Sequence, residues 1–129
     1  MNKWLRAVCV GAAAAAMLTA SAFAANYTNC ADSLHEMGLF QGTQNGYDLD
    51  RTPTRAEAAV MLVRLLGKET EVKTLTYTAP FTDLKGWEKP YVQYLYSNGL
   101  ANGTSRTTFN PTGKCTAQMY AVFLLRALG

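Results

Sequence analysis

The sequence predicts an all-α domain made of two tandem helix–loop–helix repeats packed around a shared apolar helical hub. Three observations carry that expectation. Leu34-His35-Glu36-Met37-Gly38-Leu39-Phe40-Gln41-Gly42-Thr43 matches Leu95-Tyr96-Ser97-Asn98-Gly99-Leu100-Ala101-Asn102-Gly103-Thr104 at an offset of 61. After one inserted residue, Ala59 to Gly67 matches Ala121 to Gly129 at an offset of 62, both ending Arg-x-Leu-Gly. Apolar residues in both halves recur at three and four, the period of a helix face.

The chain has 129 residues, 49% of them apolar, with 12 Lys+Arg against 9 Asp+Glu. Much of that apolar excess lies in residues 1–24. There, Lys3 and Arg6 precede an Ala-rich stretch from Ala7 to Leu18 that ends in Ala22-Phe23-Ala24. This is the plan of an export signal, with cleavage after Ala24 or Ala25. A membrane anchor is the weaker reading, because the stretch is short for a span. Without Lys3 and Arg6 the charges stand at 10 basic against 9 acidic, so nothing points to nucleic acid or to membrane insertion after cleavage. About 105 residues make one modest domain and exclude a large enzyme. Removal of Cys9 leaves Cys30 and Cys115, a pair that permits one disulfide without requiring it.

Each element follows from local signals. In residues 25–67, Asn29 can cap a short helix carrying Ala31, Leu34 and His35 on its buried stripe, and Gly38 closes it. Gly42-Thr43 then makes a tight turn needing positive φ, and Tyr47 plugs the loop. Thr54-x-x-Glu57 is a capping box that starts a longer helix, apolar nearly all round from Ala58 to Leu66 apart from Arg64. Residues 68–80 are polar and Thr-rich, with Val72, Thr74 and Thr76 suggesting a linker holding a short extended piece. In residues 81–129, Pro90 suits a helix start, Val92, Leu95 and Tyr96 form the stripe, and Gly99 ends it. Gly103-Thr104 repeats the turn, Phe109 the plug and Thr116 the cap, with Met119 where Glu57 stood.

These residues resemble the S-layer homology module of bacterial cell-envelope proteins. Phe81-Thr82-Asp83-x-x-x-Trp87, Asn98-Gly99-Leu100, Asn102-Gly103 and Phe109-Asn110-Pro111 carry the likeness in the second repeat, and Thr54-Arg55-Ala56-Glu57 in the first. The resemblance implies an exported protein at the cell wall or S-layer. It further implies non-covalent binding of secondary cell-wall polysaccharide, often through a pyruvylated sugar, in grooves between modules that usually come in threes. The first repeat lacks the Phe-x-Asp…Trp opening, and the second has Ala117 and Met119 at the signature's Arg and Glu. The match runs to Gly129, which leaves open whether a third repeat follows.

Arg55, at the first turn of the longer helix, can hold a carboxylate with parallel hydrogen bonds, helped by free amides and the helix dipole. Its bland reading is a surface arginine, solvated or paired with Asp48 or Asp50. Glu57 reads more as a cap than as a ligand contact. Trp87 can stack on a sugar and Asp83 can accept from hydroxyls, although a tryptophan at a helix start is more often a packing residue. The expected groove therefore combines Arg55 with Asp83 and Trp87, and Gly42 or Gly103 lets the backbone approach the sugar. The competing expectation is a protein–protein or self-assembly module, pairing with another copy or another S-layer homology protein through apolar hub helices. No cofactor or metal is expected: Asp48-x-Asp50 lacks the rest of a calcium loop, and one histidine with two cysteines is too few for zinc. No nucleophile triad is credible around the single His35.

Overall fold

The computed structural model describes residues 27–129, so the expected export signal lies outside the described residues. The chain divides into two compact units that meet at Leu49 and Asp50. Among the described residues every regular element is helical.

In the first unit, helix α1 runs through 27–36. Asn29 lies inside it rather than capping it, because the helix is already formed at 27. Gly38 ends the helix at φ +71, with its amide donating to the His35 carbonyl at 2.9 Å and that of Leu39 to Leu34 at 2.9 Å. A reciprocal Thr43–Gly46 amide–carbonyl pair (2.7 and 3.1 Å) makes the turn, and Gly42 sits before it at φ +75. Tyr47 stacks on Phe40 with centroids 5.4 Å apart, and its hydroxyl donates to Asp32 at 2.8 Å. His35 is exposed and not on a buried stripe; its Nδ1–H reaches the Phe40 carbonyl at 2.9 Å, so it serves the turn.

The second unit holds α2 (Arg55–Leu65), α3 (Glu69–Thr74), α4 (Lys89–Ser97) and α5 (Ala117–Leu128). The capping box forms as expected. Thr54 Oγ1 accepts from the Glu57 amide at 3.2 Å, and the Glu57 carboxylate accepts from the Thr54 amide at 2.6 Å. Thr116 caps α5 in the same way, accepting from the Met119 amide at 3.2 Å. Gly99 closes α4 at φ +70, and the amides of Gly99 and Leu100 repeat the α1 ending bond for bond.

Segment 68–80 departs from the expected linker, since α3 occupies most of its first half. Its residues have modest helix propensity, and tertiary contacts override that. Val72 is buried in the core, while Glu69 is held by Arg64 (3.3 Å), Lys73 (3.1 Å) and the Tyr91 hydroxyl (2.9 Å). Acidic residues in its first turn and Lys73 in its last also suit the helix dipole.

Leu62 and Val63 of α2, Val72 of α3, Val92 and Leu95 of α4 and the loop residue Phe109 are fully buried. Each such side chain stabilises the fold by about 1.5–3 kcal/mol. Helix α2 is the hub, packed against both α4 and α5, and α3 packs on α4. Helix α5 is less enclosed than the apolar pattern predicts: Phe123 is its buried anchor, while Val122, Leu125 and Leu128 are exposed.

Candidate functional site

The site grows from the start of α2. A helix leaves its first amides without internal acceptors, and here residues far along the chain supply them. The Arg55 amide donates to the Gly113 carbonyl at 2.8 Å and that of Ala56 to the Pro111 carbonyl at 3.0 Å. The Cys115 amide returns a bond to the Pro53 carbonyl at 2.8 Å. The first turn is therefore closed by the loop before α5 and does not offer free amides to an anion, contrary to the expectation drawn from its position in the helix.

The Arg55 side chain is only 4% exposed. Its Nε donates to the Phe109 carbonyl at 2.8 Å and its Nη2 to the Asn102 carbonyl at 3.1 Å. The guanidinium lies over the Phe109 ring, 4.5 Å from its centroid, and 5.8 Å from the centroid of Phe123. Burial pulls its pKa below the ordinary value, opposed by the charges of Cys115 and Asp83. The same burial pushes the Cys115 thiol up, with Arg55 opposing. Arg55 is therefore not the surface arginine of the alternative expectation; neighbouring Arg51 makes a two-pronged ion pair with Glu57 (2.8 and 3.0 Å). Among the described residues Nη1 of Arg55 has no hydrogen-bond partner. Because no buried side-chain nitrogen or oxygen there is unsatisfied, that corner of the guanidinium is in reach of solvent.

Asp83 fixes the other side of the same loop. Its carboxylate accepts from the amides of Phe109 (2.9 and 3.1 Å) and Asn110 (2.7 Å). Burial raises its pKa, but those amides and the Arg55 charge outweigh burial and hold it below the usual carboxylate value. Asn110, at φ +60, turns the chain from Phe109 into Pro111, as Asp48 does at the matching position of the first unit at φ +53. Asparagine and aspartate are the non-glycine residues best suited to that backbone.

Gly103 is needed for a different reason from the expected positive φ, which it does not adopt. A Cβ there would lie 2.4 Å from the Phe81 ring and 2.4 Å from the Thr108 carbonyl. Gly42 does adopt positive φ and belongs to the first unit, where a Cβ would meet the Gly46 carbonyl at 2.9 Å.

Trp87 is 59% exposed, neither core nor staple. The buried Glu88 carboxylate accepts from the Lys85 and Gly86 amides, each at 3.0 Å, and so fixes the backbone beneath the indole. Burial raises the Glu88 pKa, but the amide bonds prevail and lower it. Exposed Lys85 and Lys89 flank Trp87 in sequence. They were not picked out by sequence reasoning, although two lysines bracketing an aromatic are visible in the sequence. Glu57 is held down chiefly by Arg51, and its cap and ion pair occupy both carboxylate oxygens. Among the described residues no group of three or more His, Cys, Asp or Glu is poised for a metal. Cys30 and Cys115 are both free, the first exposed and the second buried.

A family model described as the S-layer homology domain matches residues 80–116, the stretch that holds Asp83, Trp87, Gly103 and Phe109. The chain is 31% identical over 118 residues to the middle cell wall protein of Brevibacillus brevis, covering 89% of this chain and 11% of that protein. It is 30% identical over 99 residues to the surface layer protein of Brevibacillus choshinensis (74% and 9%). A 52-residue stretch is 44% identical to an endoglucanase of a Bacillus species, covering 39% of this chain and 6% of that enzyme. The chain thus spans about a tenth or less of the length of these curated relatives. No helix of the described residues is long and apolar enough to cross a membrane.

Proposed function

For this chain, which belongs to the S-layer homology family and to the bacterial cell wall or S-layer, we propose non-covalent attachment to the wall by binding secondary cell-wall polysaccharide. The observation that carries the reading is Trp87: a large aromatic face, 59% exposed, on a backbone locked by Glu88. Such a face stacks on the C–H surface of a sugar without first being ordered. Lys85 and Lys89 supply positive charge beside it, and the Nη1 corner of Arg55 supplies a donor. Both suit a glycan carrying a carboxylate, such as a pyruvylated sugar. Asp83, Glu57 and Gly103 act by holding the loops; their polar atoms or close packing are already committed within the chain.

The test is sedimentation of the exported protein with purified wall sacculi, before and after removal of the secondary polymer. Binding is expected only with the polymer present. Trp87→Ala should weaken it by about tenfold, the loss of one stacking contact. Equal sedimentation with stripped sacculi, or unchanged binding by Trp87→Ala, would end the proposal. The second reading, a protein–protein module of the envelope, has one observation of its own in the exposed apolar stripe of α5.

A further inference from the structure

Asparagine precedes glycine at Asn45-Gly46, Asn98-Gly99 and Asn102-Gly103. A glycine, lacking Cβ, leaves its own amide nitrogen open to the carboxamide of the asparagine before it, which makes such a pair prone to deamidation. The fold ties down two of these pairs. Asn98 Nδ2 donates to the Tyr94 carbonyl at 2.9 Å, and the Gly99 amide donates to that of Tyr96 at 3.0 Å. The Gly46 amide donates to the Thr43 carbonyl at 3.1 Å. At the remaining pair Asn102 is exposed, and neither its carboxamide nor the Gly103 amide has a hydrogen bond among the described residues. Residue 103 must nevertheless be glycine, since a Cβ there would lie 2.4 Å from the Phe81 ring and 2.4 Å from the Thr108 carbonyl. The fold thus fixes the reactive neighbour of Asn102 while leaving both reacting groups unbonded.

We propose that Asn102-Gly103 is a site of spontaneous deamidation in the folded protein. The Gly103 nitrogen gives its proton to solvent base and bonds to Asn102 Cγ, and the carboxamide nitrogen leaves as ammonia. The cyclic imide that remains takes up a water. Opening at Cγ gives aspartate. Opening at the former main-chain carbonyl gives isoaspartate, with the chain rerouted through Cβ and Cγ. In that product the Asn102 oxygen that accepts from Arg55 Nη2 at 3.1 Å belongs to a free carboxylate. A neutral partner of the buried guanidinium thereby becomes a charged one.

Ageing the exported protein in mildly alkaline buffer, with and without denaturing guanidinium chloride, tests it. Peptide mass spectrometry reads the replacement of NH2 by OH at each asparagine, and electron-transfer fragmentation separates aspartate from isoaspartate. In denaturant, Asn45, Asn98 and Asn102 should react at similar rates. Folding should slow Asn98 by about tenfold, because its hydrogen bonds must open first. It should leave Asn102 within about twofold of its unfolded rate, because no such bond holds it. Slowing of Asn102 as great as that of Asn98 would overturn the proposal and show that the loop protects the pair. A rate order that denaturant leaves unchanged would overturn it too, since sequence alone would then set the rates. Isoaspartate should form at position 102 in the folded chain; aspartate alone would overturn the charged partner for Arg55. Wall polymer takes no part in these rates, so failure of the sacculus experiment leaves every outcome unaffected.

Discussion

Replacing Arg55 separates a pin of the fold from a hook for ligand. In Arg55→Ala the carbonyls of Phe109 and Asn102 lose donors at 2.8 and 3.1 Å. A buried acceptor left unsatisfied costs about 1–3 kcal/mol, and loss of the guanidinium over Phe109 adds about 1 kcal/mol. Against this, the variant no longer buries a charge, which returns part of the total. The balance is a loss of about 3 kcal/mol, or on the order of 15 °C in melting temperature for a unit this small. Thermal and urea unfolding followed by far-ultraviolet circular dichroism reads the helices directly. Arg55→Lys keeps the charge but reaches one carbonyl, so it should recover about half the loss. A loss below about 1 kcal/mol in Arg55→Ala, with wall-polymer binding abolished, would refute the reasoning. Arg55 would then act on ligand and not on the fold.

Asp83→Asn should destabilise by about 1–2 kcal/mol at neutral pH, because two backbone amides lose a charged acceptor. A carboxylate held below its unfolded pKa stabilises above that value and loses the contribution as pH falls through the folded one. The gap between wild type and variant should therefore be constant from pH 7 to about 5 and close below about 4 in denaturation measured across pH. Gly103→Ala should cost about 2–3 kcal/mol by urea unfolding, since its Cβ meets a ring and a carbonyl that are themselves packed. Gly99→Ala, with open space but φ +70, should cost nearer 1 kcal/mol.

The features legible in the sequence were those decided within a few residues. Capping by Thr54, Glu57 and Thr116, and helix endings at Gly38 and Gly99, depend on neighbours in the chain, and the repeat displayed each twice. Helix α3 was not read, because its local charge pairs are outweighed by its threonines and Val72, and what fixes it is Val72 entering the core and Tyr91 reaching Glu69 from 22 residues onward. Arg55 had the same difficulty. Its position marked a helix start, but its burial comes from residues 47 and 54 places onward. That hub helices carry apolar faces was legible, but which face of α5 stays exposed was not, because an apolar helix reads alike whether or not its second face is covered.

The bonds that close the first turn of α2 also order events in time. Arg55 and Ala56 wait for carbonyls at Pro111 and Gly113, with Asn102 and Phe109 between. A chain synthesised from its N-terminus thus carries α2 with open first-turn amides and an unpartnered guanidinium until the segment through Gly113 has followed. Only then is the first turn of α2 closed. A chain shortened to end before Phe109 would lose the Arg55–Phe109 bond and the carbonyls that close the first turn of α2, so the start of that helix depends on a loop 54 residues onward.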